Sequence, residues 1–161
     1  ATAGFEEAFS ARVTANYTRL AAWWRLTNPD ALYRSLLSRH HGRSDLPLVV
    51  TDLEGRLVGY VALTRCRMLG IGGWTLSYFG FSEAGGQGLM TEAVCAACDY
   101  AFSDLNASVI EAEVHPDNAP SVRLLERSGF ELTRSAIRSH IDGDYTEYLV
   151  YSSEDRQQES K

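Results

Sequence analysis

Apolar positions near the N-terminus recur at helical spacing, Phe5, Phe9, Val13 and Tyr17, then Leu20, Trp23 and Trp24, which predicts a helix along this stretch. Asn28-Pro29-Asp30 interrupts the pattern and opens a second helix through Leu32, Leu36 and Leu37. At Pro47 to Thr51 the pattern becomes a short apolar run, that of a strand. Glu54-Gly55-Arg56 supplies a turn, and Leu57 to Leu63 reads as the second arm of a hairpin. After a Gly-rich connection, Trp74 to Phe81 is a further strand, rich in Trp, Tyr and Phe.

Strand and helix alternate from there on. Gly85-Gly86-Gln87-Gly88 leads into an apolar helix from Leu89 to Phe102. Ser108 to His115 alternates, with Val109, Glu111, Glu113 and His115 on one side and Ile110, Ala112 and Val114 on the other. Pro116-Asp117-Asn118 caps a short helix through Leu124 and Leu125 that stops at Gly129. Glu131 to Ile141 and Tyr145 to Tyr151 form a terminal strand pair across Asp142-Gly143-Asp144. The pattern predicts a mixed α/β domain over residues 1–151, its mostly antiparallel sheet flanked by helices, followed by a polar, disordered tail, residues 152–161.

Composition narrows the function. The chain has 161 residues, 45% hydrophobic and 22% charged, with a net charge of −6. That balance fits one globular domain and argues against a nucleic-acid polymer as partner. No apolar run approaches the roughly 20 residues of a membrane span, and no secretory signal is present, so the expectation is a soluble cytoplasmic protein. The only lysine is Lys161. A Walker-type phosphate loop and a pyridoxal Schiff base, which each need an interior lysine, are therefore excluded. Cys95 and Cys98 have the C-x-x-C spacing, but they sit in an Ala-rich helical run where cysteine serves as a small buried hydrophobe. The histidines His40, His41, His115 and His140 make no zinc-finger spacing with the cysteines, so no metal is expected.

The segment that carries chemistry is Gly85–Gly88. A Gly-rich turn between a strand and a helix aims backbone N–H groups at an anion, and the helix dipole adds roughly half a positive charge. The alternative is a plain strand-to-helix turn. A dinucleotide-binding fold fits poorly, because its glycines follow the first strand of a βαβ unit, not a long antiparallel meander.

Phe81-Ser82-Glu83-Ala84-Gly85-Gly86-Gln87-Gly88-Leu89-Met90-Thr91-Glu92-Ala93 resembles the acetyl-CoA pyrophosphate loop of the GNAT acetyltransferases. Asn118-Ala119-Pro120-Ser121 through Ser128-Gly129-Phe130 is similar to the N-x-x-S…G-F signature of their ribosomal-protein N-acetyltransferase branch, and Asn16 to Trp24 resembles that branch's early helix and loop. The likeness runs from Phe5 to Tyr151. It implies the GNAT fold, with the family's fourth and fifth strands splayed apart. Two departures stand out. Gly85 replaces the Gln or Arg with which the family's loop begins, and Ala1 to Gly4 is too short for the family's first strand.

The resemblance implies roles residue by residue. The amides of Gly86, Gln87, Gly88, Leu89, Met90 and Thr91 would hold the pyrophosphate of acetyl-CoA. The strand at Tyr78, Phe79, Gly80 and Phe81 would pair with the pantetheine and polarise the thioester. Asn118 would bond the pantetheine, Ser121 would lie near the sulfur, and Arg127 would reach a CoA phosphate. The alternative for Asn118 and Ser121 is a helix cap and its first-turn partner, and for Arg127 a solvated helix face. Trp23, Trp24 and Trp74 would wall the acceptor side, unless they are core.

Acetyl transfer needs a neutral amine. An α-amine, with a pKa of about 7.7–8.0, is roughly a tenth neutral near pH 7, so it asks little of a base. His140 is the candidate base, with Ser139 one residue away and Glu111, Glu113 and His115 as a second base or a polar rim. The sequence therefore points to an acetyl-CoA-dependent N-acetyltransferase, with direct attack by an amine of a protein N-terminus or small molecule. Aromatic walls would suit an acceptor with a planar group, such as an aminoacyl-nucleotide, or an amine antibiotic. The rivals are a CoA-binding regulatory domain without chemistry and a nucleotide-binding interaction module.

Overall fold

The computed structural model describes residues 3–24, 45–69, 71–139 and 144–154. Helices α1 (Ala3–Ala15) and α2 (Tyr17–Trp24) come first, followed by strands β1 (Asp45–Thr51), β2 (Leu57–Arg65) and β3 (Gly73–Gly80). Then come α3 (Leu89–Asp104), β4 (Val109–Val114), α4 (Ala119–Arg127), β5 (Glu131–Ser139) and β6 (Tyr145–Glu154). The strands hydrogen-bond in the order β1-β2-β3-β4-β6-β5, a mixed, mostly antiparallel sheet. The chain divides into two compact units, one of Ala1–Ala62 with Tyr78–Met90, the other of Leu63–Ser77 with Thr91–Lys161.

In the first unit the helical pair buries Phe9, Val13 and Leu20 against Tyr60, Ala62, Phe79 and Phe81, with Leu57 packed on the cluster. Phe9 is the centre, its ring meeting Tyr60 at 6.4 Å, Phe79 at 6.5 Å and Phe81 at 6.0 Å between centroids. The buried helical stripe differs from the expected one. Asn16, not Tyr17, follows Val13 on it, because the chain breaks there between α1 and α2 while Leu20 N–H still bonds the Asn16 carbonyl at 3.0 Å. Asp52 builds the β1–β2 turn, its carboxylate accepting the N–H groups of Glu54 and Arg56 at 3.1 and 2.8 Å.

In the second unit β3 runs parallel to β4 from Gly73↔Val109 to Thr75↔Glu111, where their pairing ends. The β4 alternation is as expected, with Ile110, Ala112 and Val114 buried. Helix α4 ends in a Schellman motif: Gly129, at φ +83°, gives its N–H to Glu126 and Phe130 gives its own to Leu125. Tyr151 on β6 donates its hydroxyl to Glu126 of α4 at 3.4 Å. Strand β6 continues three residues past the expected boundary, since Ser152, Ser153 and Glu154 pair with Glu111, Ile110 and Val109. Backbone pairing is indifferent to the polarity that made these residues read as tail. The second N-terminal helix and the end of β5 at residues 140–141 lie outside the described residues.

Candidate functional site

In the first unit, β3 ends at Gly80 and a 3₁₀ turn, Ser82–Ala84, carries the chain into Gly85, whose N–H closes on the Ser82 carbonyl at 3.1 Å. Gly85 is itself extended, with φ −65° and ψ 148°. Gly86 and Gly88 are left-handed, at φ +80° and +78°, with nothing within 4 Å of where a Cβ would stand. Only glycine holds both positions without strain, and the space around them leaves the backbone open to a ligand. Exposed Gln87 lies between them, and the 16-residue α3 starts at once with half-buried Leu89, Met90 and Thr91. An open Gly loop at the N-terminus of a long helix is a cradle for phosphate oxygens, and the residues present fit a pyrophosphate.

Met90 anchors the far end of the loop. A Cβ on Gly59 would stand 2.6 Å from the Met90 sulfur, and one on Gly80 would stand 2.9 Å from its Cγ. Two strand glycines thus seat the first turn of α3. The strand itself is divided in its use. The rings of Phe79 and Phe81 are 5% and 2% exposed and belong to the core. The Phe81 N–H donates to the Val58 carbonyl at 2.8 Å. Tyr78 is half-buried, and the Gly80 carbonyl accepts a hydrogen bond from Arg19. Trp23 is half-buried on α2; the side chain of Trp24 lies outside the described residues.

In the second unit, Asn118 sits at the N-cap of α4, where its carbonyl accepts the N–H groups of Ser121 and Val122 at 2.9 and 3.1 Å. Its side chain makes no cap hydrogen bond, so the side-chain cap given as the alternative reading is not formed. Ser121 is half-buried one turn on, and Arg127 is exposed in the last turn, where a cation also suits the helix dipole. Trp74 is not open to a planar ligand. It is 3% exposed, and the Arg65 guanidinium lies 5.4 Å from its ring centroid. His140 lies outside the described residues, while Ser139 is exposed at the end of β5.

The polar face of β4 resolves into ion pairs. Arg134 on β5 donates to both Glu111 oxygens, at 2.5 and 2.8 Å, and Arg138 donates to Glu113. Hydrogen bonds from Arg134 hold the Glu111 carboxyl below the usual carboxylate range, which makes it a rim residue and a poor base. Because the folded value lies below the unfolded one, this pair stabilises the fold above the ordinary carboxylate range and stops doing so as pH falls through the depressed value. Glu111→Gln should therefore cost about 1 kcal/mol at pH 7, allowing for the half-exposed arginine, and the gap from wild type should close in acid. Thermal melts from pH 7 to pH 3 check this; a gap that stays constant would mean the pair contributes nothing.

His115 accepts the Asp117 N–H on Nδ1 at 3.2 Å and stands edge-on to Tyr148 at 6.1 Å. Burial pushes the Cys98 thiol up to about 12, and all three cysteines are free. Cys98 is then no thiolate nucleophile at neutral pH. Among the described residues no three of His, Cys, Asp or Glu are grouped to hold a metal, and no helix is long and apolar enough to cross a membrane.

A mixed sheet thus leads through an open glycine loop to the N-terminus of a long helix. The family follows from comparison. Residues 5–131 match the acetyltransferase (GNAT) domain, and the chain belongs to that family. It is 39% identical over 103 residues to the probable N-acetyltransferase YjcK of Bacillus subtilis, a match covering 63% of this chain and 57% of that relative. The chain thus spans under two thirds of that protein's length. Its fold is like that of Mycobacterium smegmatis RimJ in complex with CoA-disulfide, with a TM-score of 0.80 at 22% identity over 97% of this chain and 79% of that one. It is also like that of spermidine N-acetyltransferase from Vibrio cholerae in complex with CoA and spermine, with a TM-score of 0.76 at 21% identity over 96% and 92%.

Proposed function

We propose that the protein is an acetyl-CoA-dependent N-acetyltransferase that moves an acetyl group to a primary amine, an α-amine of a protein N-terminus or of a small molecule, by direct attack. One observation carries this reading: a GNAT chain keeps two left-handed, unobstructed glycines, Gly86 and Gly88, at the start of α3. Gly86 to Thr91 would hold the pyrophosphate through their amides, and Arg127 would add a cation for a further phosphate. The bound donor supplies an acetyl thioester. Asn118, whose amide is not spent on capping, would orient the pantetheine arm, and Ser121 would lie toward the thiolate.

The amine end is served by few groups. An α-amine needs only weak proton acceptance, which a histidine at position 140 or a water relay provides. The suppressed thiol of Cys98 argues against its forming an acetyl-enzyme intermediate. The free cysteines suit a reducing compartment, the cytoplasm. A second reading, a small cationic amine as acceptor, draws on the net charge of −6 and on the likeness to the spermine complex.

Release of free CoA from acetyl-CoA, followed with peptides bearing free N-termini, spermidine and aminoacyl-nucleotides in parallel, separates these acceptors. Release is expected with α-amines, at a kcat/KM at least tenfold above that for spermidine, since a polyamine near pKa 10 is neutral far less often. Binding of acetyl-CoA with no release on any amine would leave a regulatory CoA-binding domain.

A further inference from the structure

Asn16 is the one buried polar residue among those described, at 4% exposure, and it interrupts the apolar stripe Phe9–Val13–Leu20. A polar group buried so deeply costs free energy unless its hydrogen bonds are made. They are made to a segment 66 residues away. Its Oδ1 accepts the Ser82 hydroxyl at 2.9 Å and the Ser82 N–H at 3.0 Å, with Arg19 at 3.2 Å. Its Nδ2 donates to the Arg12 carbonyl at 3.1 Å and reaches a Glu83 oxygen at 3.4 Å. Arg12 and Arg19, at i−4 and i+3 on the same helical face, close on Glu83 at 3.0 Å and on the Gly80 carbonyl. Three polar side chains on one helical face thus grip Gly80, Ser82 and Glu83, the residues just before the glycine cradle.

A Cβ on Gly86 or Gly88 would meet nothing within 4 Å, so the anchors visible on the cradle are at its ends. Downstream the anchor is Met90 in its glycine seat. Upstream it is Ser82, whose carbonyl holds the Gly85 N–H. Of the three gripping residues only Asn16 is buried, and exposed ion pairs such as Arg12–Glu83 contribute little. We infer that Asn16 is a positioning residue for the donor loop: by fixing Ser82 it presets the Gly85–Gly88 backbone for the CoA pyrophosphate. The inference rests on the acetyl-CoA reading. Presetting lowers the ordering cost of binding, so its loss should appear in affinity and leave the acetyl-transfer step alone.

The test is calorimetric titration of CoA into the wild-type chain, Asn16→Ala and Asn16→Asp, with Tm measured for each. Asn16→Ala should weaken CoA about tenfold or more. Asn16→Asp keeps the oxygen that Ser82 bonds but sets a second oxygen against the Arg12 carbonyl and Glu83, so it should recover only part of that loss. With an active amine in hand, KM for acetyl-CoA should rise in Asn16→Ala while kcat at saturation stays within about twofold. If Asn16→Ala does not fold, Ser82→Ala, which removes only the hydroxyl contact, should weaken CoA about threefold. A lowered Tm with unchanged CoA affinity in the variants that fold would overturn the inference and leave Asn16 a core residue. A wild-type chain that does not bind CoA would instead remove the acetyl-CoA reading, and this inference with it.

Discussion

Gly88→Val is expected to reduce CoA affinity by at least about 30-fold while leaving the melting temperature within a few degrees of wild type. The reason lies in the backbone. Gly88 sits at φ +78°, where a side chain costs about 1–2 kcal/mol and a β-branched one more. Nothing stands within 4 Å of its Cβ position, so no clash propagates into the core. Between its two anchored ends the loop has room at Gly88 to relax to negative φ, which turns its N–H groups away from the anion. The strain is then discharged as lost binding instead of lost stability. Gly88→Ala should show a weaker version, about tenfold. A Gly88→Val protein that binds CoA within threefold of wild type would show that the cradle is not where the pyrophosphate sits.

The second large effect concerns the fold. Phe9→Ala should destabilise the protein by about 3–5 kcal/mol, since it deletes the ring that Tyr60, Phe79 and Phe81 share. For a chain of this length that is a fall in Tm of about 6–20 °C. Ile137 on β5, exposed at 69%, gives the contrast: Ile137→Ala should stay within about 0.5 kcal/mol. Denaturant melts of the two variants measure the difference directly. A Phe9→Ala loss below about 1 kcal/mol would mean that the N-terminal helix is not integral to the core.

Much of this was legible in the residues. Period-2 patterning located the β4 alternation and the terminal hairpin, and Gly129 marked the end of α4 because only a left-handed residue completes its Schellman motif. The loop was legible for the same reason, as glycines at a strand-to-helix junction. What escaped were properties set by three-dimensional partners. Asn16 read as part of a family likeness, and its grip on Ser82 became visible only with the chain folded, although a polar residue on an apolar stripe is the signal that marks such positions. Trp74 read as either a wall or core because aromatic residues suit both, and burial decides between these. Glu111 and Glu113 stood open as bases until β5 brought Arg134 and Arg138 across to them. Strand β6 outran its hydropathy at Ser152, where backbone pairing sets the limit.

The central claim, that the glycine cradle serves an acyl-CoA donor, is tested most directly by thermal unfolding with acetyl-CoA, CoA, ATP and NAD in parallel. A ligand at 100 times its dissociation constant adds about 2.7 kcal/mol. Here that is a rise of about 5–11 °C. Such a rise is expected with acetyl-CoA and with CoA, and little or none with ATP or NAD. A rise with ATP or NAD and none with either CoA compound would contradict it and make the loop a nucleotide site of another kind.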